Sequence, residues 1–220
     1  MSSAPPLDEL AIQKAQQAAD DLHLRVAPLG EAELDLLFLQ ARSHNGWKDD
    51  AVSDEQLQSL YDIVRMGPTS MNCSPARFVF IRSAEGKQRL LPALNKGNVE
   101  KTLAAPVVVI IGYDLDFPDR LAQLFPHTDG KRFFVDKPEH TEKTAFRNGT
   151  LQGAYLLLAA RAMGLDCGPM SGFDHAVVDA EFFAGTAIKS NFICAMGVGD
   201  SSKLFQRHPR LSFSQACELV

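Results

Sequence analysis

The apolar positions of the chain predict a central sheet built from buried strands. Val107–Ile111 is an uninterrupted aliphatic run, and Asn191–Met196 is a second run that is apolar after its first residue. Runs of this length are typical of strands covered on both faces. Phe78–Ile81 is a shorter aromatic and β-branched run and predicts a third strand. Pro106 suits the first position of the strand that follows it.

Polar residues in the segments between these strands mark the predicted starts of helices. Ser53–Gln56 fits a capping box, after which apolar residues recur on one helical face until Gly67-Pro68 ends the helix. Ser83 and Asp174 are candidate N-caps of two further helices. A helix is also predicted from Glu31 to about Ala41. The segment Asp166–Phe173 is rich in Gly and Pro and is interpreted as turns.

A longer helix is predicted over Thr144–Met163, and Gly164 ends it. Its second half is apolar nearly all round, so it belongs in a core or in an interface. Gly149 and Gly153 would allow a second copy of the chain to approach closely. An ordinary core helix is an equally good interpretation.

We interpret residues 31–220 as one folded domain, because no repeat or linker divides this part of the chain. Residues 1–30 form an N-terminal extension. Its first six residues are small and Pro-rich and are predicted to be disordered, whereas residues 8–24 have helix-forming composition. The alternation of elements favours an α+β or α/β protein.

Composition and charge narrow the class of protein. A formal net charge of -5 argues against non-specific nucleic-acid binding, which requires a basic face. No apolar run is long enough to span a membrane, and no signal peptide is recognisable. The four cysteines are widely spaced and are expected to be free, buried thiols in a reducing compartment. These features predict a cytoplasmic protein without nucleic-acid or membrane partners.

Several common chemistries are absent from the sequence. The six histidines lack the spacing of a metal site, and neither a Gly-x-Ser-x-Gly elbow nor a phosphate-binding P-loop occurs. Gly197-Val198-Gly199-Asp200 follows an apolar run, but it lacks the third glycine and the following unit of a dinucleotide-binding fold. No metal and no catalytic side chain are therefore assigned.

Three segments carry positive signals. Arg42-Ser43-His44-Asn45 offers a guanidinium and neutral donors suited to a phosphate, although a solvated helix end would look alike. Gly67–Pro75 has the composition of a turn, yet its asparagine suits the imide edge of a flavin or a pyrimidine. The glycines of Gly164–Phe173 would let backbone approach a flat ligand, or serve only the loop.

In this order, the three segments resemble motifs of the nitroreductase family of flavoproteins. Pro68-Thr69-Ser70-Met71-Asn72 is similar to the Pro-Ser-Ser-x-Asn motif, and Met163–Asp174 is similar to the Gly-Leu-Asp…Gly-Phe-Asp region. Arg210 stands where the family has a C-terminal phosphate-binding arginine. The resemblance covers roughly residues 36–220. Within the family, the runs 68–78 and 199–204 resemble the malonic semialdehyde reductases of uracil degradation.

The resemblance implies an α+β fold in which a central, mostly antiparallel sheet is flanked by helices in a three-layer sandwich. It also implies an intertwined homodimer with FMN at the interface, and NADPH or NADH as the electron donor in a ping-pong cycle. The implied substrate is a small electrophile. The residues expected at the FMN phosphate and ribityl chain are Arg42, Ser43, Asn45 and Arg210. Those expected around the flavin ring are Asn98, Pro169, Met170, Ser171 and Gly172, with Pro68, Thr69, Ser70 and Asn72 supplied by the partner chain. Phe134 is expected on the substrate side.

This chain departs from the family pattern at two places. Ala41 precedes Arg42 where two adjacent basic residues are frequent, and Asn45 replaces a common Lys or Arg, which leaves room for Lys203 or another cation. Ser171 replaces a frequent glutamate, so nitro-substrate preferences are not carried over. The alternatives are a broad nitroaromatic or quinone reductase, a non-catalytic flavin-binding protein and a plain interaction domain.

Overall fold

The computed structural model of the protein describes residues 8–220. In chain order the elements are α1 (Glu9–Arg25), α2 (Glu31–Leu34), α3 (Asp54–Val64), β1 (Ala76–Ile81), α4 (Ala84–Leu90), α5 (Lys96–Ala104), β2 (Val107–Asp114), α6 (Leu121–Leu124), α7 (Pro138–Ala162), β3 (Asp166–Met170), α8 (His175–Phe182), β4 (Ile188–Gly197) and α9 (Phe213–Ala216). Short 3₁₀ turns occupy Ser70–Asn72, Leu91–Ala93, Phe117–Arg120, Lys131–Phe133 and Ser201–Lys203. The predicted disordered residues 1–6 lie outside the described residues.

The strands form one sheet in the order β1-β2-β4-β3, and every neighbouring pair is antiparallel. The central strands β2 and β4 contain the two predicted apolar runs, each extended beyond the predicted bounds. The predicted α+β class, with its antiparallel sheet and flanking helices, is confirmed.

The residues of β2 alternate between two separate hydrophobic cores. Val107, Val109 and Ile111 pack with residues of α3 and α7 on one face. Val108 and Ile110 pack on the other face with residues of α4 and α8. A strand buried on both faces shows no polar alternation, which explains the continuous aliphatic run. The fold is therefore a sheet between two helical layers.

The three predicted N-caps are confirmed, whereas the helix predicted from Thr144 begins earlier, at Pro138. Ser53 Oγ accepts from Gln56 N at 3.2 Å, and Gln56 Oε1 accepts from Ser53 N at 2.9 Å. Ser83 and Asp174 cap α4 and α8 through their side chains. The predicted helix that begins at Glu31 changes after Leu34 into a π-helical turn, Asp35–Leu39.

The two glycines of α7 face the sheet, so the suggestion that they face a second copy is wrong. A Cβ on Gly149 would lie 3.0 Å from Tyr113 Cβ, and a Cβ on Gly153 would lie 2.5 Å from Phe192 Cε1. Their lack of side chains lets the helix lie close to β2 and β4. Leu151 lies on the opposite face of α7 and is exposed, and Phe146 is half-exposed with its ring edge-on to Tyr113.

The segment after α7 is a strand, so its interpretation as turns is wrong for Asp166–Met170. This segment pairs with β4, with Pro169 opposite Cys194. Because β3 lies at the sheet edge, Pro169 is tolerated there although it has no N–H to donate. The Gly and Pro content concealed a strand whose pairing depends on a distant partner.

Both ends of the described chain lie away from the two cores. None of the residues of α1 is buried, and residues 205–220, here called the C-terminal arm, are exposed throughout. The arm carries Phe205, Leu211 and Phe213, each at least 64% exposed. Within residues 8–220, no helix is sufficiently long and apolar to cross a bilayer. Cys73, Cys167 and Cys194 are buried and free as expected, whereas the expectation of burial is wrong for Cys217, which is free but exposed.

Candidate functional site

Four of the predicted site residues line one cleft, formed between the segment after the π-helical turn and the start of the C-terminal arm. These are Arg42, Ser43, Asn45 and Arg210, and the cleft has a volume of about 640 Å³. Arg42 donates from Nη2 to the carbonyl oxygen of Phe205, which joins the two walls. Arg42 and Arg210 are far apart in sequence but line the same cavity.

The cleft is strongly cationic. Arg161 and Arg207 add two further guanidinium groups, and no Asp or Glu is among the lining residues. Arg207 Nη2 donates to Ala41 O at 3.3 Å, so Arg207 lies beside the position where the family often has a second basic residue. Arg161 Nε is buried without a hydrogen-bond partner among residues 8–220. This charge and these donors suit a phosphate.

Lys203, considered above as an additional cation, lies outside this set of lining residues. Its side chain packs against Gly46, where a Cβ would lie 2.5 Å from Lys203 Cγ. Arg207 and Arg161 therefore provide the additional positive charge. Neither residue has a local signal in the sequence, because Arg161 lies on a long helix and Arg207 on an irregular arm.

Helix α5 connects this cleft to the end of β3. Lys101 Nζ donates to Asn45 Oδ1 at 3.5 Å, and Asn98 Nδ2 donates to Gly172 O at 2.8 Å. Thr102 Oγ1 lies 3.6 Å from Met170 Sδ. Burial lowers the pKa of Lys101 from its usual 10.5. A continuous wall of polar groups thus runs from Asn45 to Gly172.

The segment Pro169–Gly172 closes the far end of this wall. Pro169 and Met170 belong to β3, Ser171 is exposed, and Gly172 O accepts from Asn95 N at 3.0 Å. A Cβ on Gly172 would lie 2.9 Å from the amide nitrogens of both Asn95 and Asn98. Only glycine leaves room for these amides so close to the backbone.

The Pro68–Pro75 loop is conformationally strained. Met71, Asn72 and Ser74 have positive φ values of 53°, 51° and 38°. Non-glycine residues in this region cost roughly 1–3 kcal/mol each and persist where surrounding contacts hold them, often at ligand sites. Ser74 N donates to Thr69 Oγ1 at 3.1 Å, and Asn72 Nδ2 donates to Leu124 O at 2.9 Å.

Two buried polar residues of α7 also hold this loop in place. Asn148 Oδ1 accepts from Ser70 N at 2.8 Å, and Gln152 Oε1 accepts from Ala76 N at 2.9 Å. The two residues are only 2% and 4% exposed. Sequence reasoning missed both, although their i, i+4 spacing on one face of the helix was an available signal.

Phe134 lies on the same side of the molecule as this loop. It is 8% exposed and belongs to a hydrophobic cluster that includes Cys73 and Met71. Its ring meets Phe117 edge-on with centroids 4.9 Å apart and stacks on His140 at 5.2 Å. Phe134 is thus packed in a core, and its expected position beside a substrate stays a prediction.

The candidate residues fall into two groups at opposite edges of the sheet. The loop with Asn72 leads into β1 at one edge, whereas Met170 ends β3 at the other. Two strands lie between these edges, which amounts to about 14 Å at the usual strand spacing. The two groups are therefore separated by the width of the sheet.

The residues around the cleft fit FMN on chemical grounds. A carboxylate-free cluster of guanidiniums suits its phosphate, and the wall along α5 offers amides, an ammonium and a glycine without a side chain to the ribityl chain and flat ring. Among residues 8–220, no group of three or more His, Cys, Asp or Glu residues is placed to hold a metal ion.

Three solved structures share this fold. A Bacillus subtilis protein described as a nitroreductase has the same fold, with a TM-score of 0.80 and 19% identity over 87% of this chain and 100% of that chain. An Exiguobacterium sibiricum protein described as a nitroreductase in complex with FMN has a TM-score of 0.73 and 17% identity, over 89% of this chain and 100% of that chain. A Staphylococcus epidermidis protein described as an NAD(P)H:FMN oxidoreductase has a TM-score of 0.71 and 18% identity, over 89% of this chain and 99% of that chain.

A family-level match is also found in the sequence itself. Residues 39–200 match the nitroreductase family, and this range includes the first cleft segment, the strained loop and all strands of the sheet. The matched range exceeds half of the chain. The chain belongs to the nitroreductase family.

Proposed function

We propose that the protein is an FMN-dependent oxidoreductase that uses NADPH or NADH to reduce a small electrophile. The observation that carries this proposal is the shared cleft of Arg42 and Arg210, which is free of carboxylates and continues along α5 to Gly172. Membership in the nitroreductase family supports it. The FMN-bound and NAD(P)H:FMN oxidoreductase neighbours described above support the choice of cofactor and donor.

The chain's own residues would bind and orient the cofactor, which supplies two-electron chemistry when bound. Arg42, Ser43, Arg207 and Arg210 would hold the phosphate through charge-assisted hydrogen bonds. Lys101 would place its ammonium group near the ring. A preorganised cation there would stabilise negative charge that develops on the ring. In the reaction, the electrophilic carbon gains a hydride and its oxygen gains a proton.

The proposed assembly is a homodimer with two equivalent sites. Each site would combine the cleft of one protomer with the Pro68–Asn72 loop of its partner, because the two groups lie at opposite edges of the sheet. The exposed face of α7, with Phe146 and Leu151, lines an apolar groove of about 520 Å³ and would lie in the interface. The C-terminal arm offers further exposed apolar side chains for contact with the partner.

The dimer is tested by placing a charge on this groove. We expect Leu151→Lys to give a monomer by sedimentation velocity and to lose bound FMN, because each site would lose the partner's loop. Lys143→Gln, in the same groove, is the matched control and should remain dimeric. A Leu151→Lys dimer with full flavin content would contradict this arrangement.

We propose malonic semialdehyde as the substrate, with 3-hydroxypropionate as the product. Support comes from the resemblance of residues 68–78 and 199–204 to the malonic semialdehyde reductases. The free, buried thiols suit a reducing, cytoplasmic location. A broad nitroaromatic or quinone reductase is the second candidate, and the family membership favours it.

The first experiment is a visible spectrum of the purified protein, before and after addition of NADPH or NADH. Bound oxidised flavin that bleaches supports an oxidoreductase. Flavin that does not bleach indicates a non-catalytic flavin-binding protein, and a colourless protein that gains no thermal stability from FMN indicates an interaction domain. Turnover of malonic semialdehyde is then compared with that of a nitroaromatic. Preference for the nitroaromatic would reject the proposed substrate.

A further inference from the structure

The segment Arg42–Asn45 divides its side chains between the cleft and the protein interior. Arg42, Ser43 and Asn45 line the cleft, whereas His44 is only 7% exposed and does not line it. The imidazole of His44 packs against the indole of Trp47, with centroids 6.2 Å apart. His44 is therefore not placed to contact a ligand in the cleft, and its burial within the motif requires another explanation.

The backbone of this segment lies tightly along the edge strand β3. His44 N donates to Cys167 O at 3.0 Å, and Ser43 forms a short parallel bridge with Cys167. A Cβ on Gly168 would lie 2.4 Å from His44 O. The glycine at position 168 is thus needed for the segment to approach the strand this closely.

The ring of His44 contacts two residues from distant parts of the chain, Asp166 and Gly199. His44 Nε2 lies 3.4 Å from Asp166 Oδ1, and Asp166 Oδ2 accepts from Gly199 N at 2.8 Å. A Cβ on Gly199 would lie 2.0 Å from His44 Nδ1, so the ring occupies the space that a side chain would fill. His44, Asp166 and Gly199 are therefore in mutual contact.

Hydrogen bonding on one side of the ring does not explain the choice of histidine. Nδ1 is buried without a hydrogen-bond partner within the described part of the chain. An unpaired buried polar atom is unfavourable. What the imidazole supplies is a rigid shape against Gly199 and a polar contact with Asp166, which together hold the segment at a defined distance from β3.

We infer that His44 is a positioning residue that fixes the Arg42–Asn45 segment so that Ser43 and Asn45 face the cleft. Ser43 and Asn45 flank His44 in the chain and both line the cleft, so an anchor at position 44 holds the backbone from which these two side chains project. The same anchor keeps Arg42 beside the C-terminal arm, to which it donates. This inference rests on the proposed function, because it concerns the phosphate end of the proposed FMN site.

The test compares two flavins that differ in the phosphate. The Kd of FMN and the Kd of riboflavin are measured on the flavin-free dimer by quenching of flavin fluorescence. His44→Leu fills the buried space with an apolar side chain and removes the contact with Asp166. Its preference for FMN over riboflavin should fall about tenfold, the effect of weakening one charge-assisted hydrogen bond.

Two further variants separate positioning from general damage. His44→Gln retains an amide donor near the position of Nε2 and should recover part of the preference. Gly199→Ala should displace the ring because its Cβ would lie 2.0 Å from Nδ1, so it should also reduce the preference. In the double variant His44→Ala/Gly199→Ala, the added methyl meets no ring, so the double variant should show the same preference as His44→Ala alone. His23→Leu, on the exposed helix α1, is the control.

The outcomes are distinct. An unchanged preference in both His44→Leu and Gly199→Ala overturns the inference, and so does an equal loss of FMN and riboflavin affinity. If His44→Leu does not fold, the Gly199→Ala variant and the double variant decide. A wild-type protein without preference for FMN over riboflavin would overturn the proposed FMN site itself and this inference with it.

Discussion

Lys101 Nζ lies 3.5 Å from Asn45 Oδ1, a contact that joins helix α5 to the Arg42–Asn45 segment across 56 residues of sequence. Lys101 O in turn accepts from Trp47 Nε1 at 2.9 Å. The side chain and the backbone of Lys101 therefore connect to the same irregular segment. This double connection places an ammonium group between the cationic cleft and the segment that ends at Gly172.

Replacement of Lys101 by Met should weaken FMN binding about tenfold, because it removes a partly buried cation but keeps the aliphatic stem. Binding of FMN to the wild type should also weaken in the alkaline range. Burial lowers the pKa of Lys101, so its ammonium is lost at a lower pH than that of an exposed lysine. The measurement is the Kd of FMN between neutral pH and pH 10 or so.

Lys96→Met is the matched control, since Lys96 is an exposed lysine on the same helix. It should bind FMN like the wild type. Equal Kd values for Lys101→Met and Lys96→Met at neutral pH would show that Lys101 does not contribute to the site.

Mixing of two inactive variants should restore activity if each site uses both chains. Arg42→Ala damages the cleft, and Asn72→Ala damages the loop at the opposite edge of the sheet. A mixed dimer contains one site with both residues intact. Activity after co-refolding of the two variants is measured against each variant alone. No recovery in verified mixed dimers would place both residues in the same protomer's site.

Gly153→Ala should destabilise the fold by about 1–3 kcal/mol, because its Cβ would lie 2.5 Å from Phe192 Cε1 and force α7 away from the sheet. Gly97→Ala is the matched control in helix α5, where a Cβ meets no atom within 4 Å. It should be neutral or stabilise by about 0.5–1 kcal/mol. The free energy of unfolding in urea checks both variants. Equal values for the two would contradict the close helix–sheet packing.

The stability of the fold should decrease between pH 9 and pH 11 through a buried thiol. Burial raises the pKa of Cys73 from 9.0 to about 11. The unfolded thiol therefore loses its proton first as the pH rises, and unfolding becomes more favourable across this window. Cys73→Ala should show a smaller decrease in the free energy of unfolding, whereas Cys217→Ser, at an exposed position, should keep the wild-type slope.

Much of the fold was predictable because its signals are local. The two central strands were recognisable from their aliphatic runs, and α3, α4 and α8 from their capping residues. These signals depend on neighbours within a few residues of sequence. The edge strand β3 was missed for the opposite reason. Its Gly168 and Pro169 favour turns locally, and only pairing with β4 makes the segment a strand.

The candidate site was predictable only in part. Arg42, Ser43, Asn45 and Arg210 were found because they stand in motifs that resemble a family. Arg161, Arg207 and Lys101 were missed, since each is an isolated basic residue that looks like any surface cation in sequence. Asn148 was missed because its contact with the Ser70 backbone crosses 78 positions of the chain.

Local pattern was enough to specify the capped helices and the buried central strands, and the order of the motifs was enough to indicate the family. It could not specify which side chains share a cavity, because that depends on contacts between residues far apart in sequence. Only the folded chain brings Arg42 to Arg210, directs Gly153 toward the sheet rather than toward another helix, and places the Asn72 loop at the edge opposite Met170. Those relationships come from packing around the two cores, and packing is a property of the whole chain.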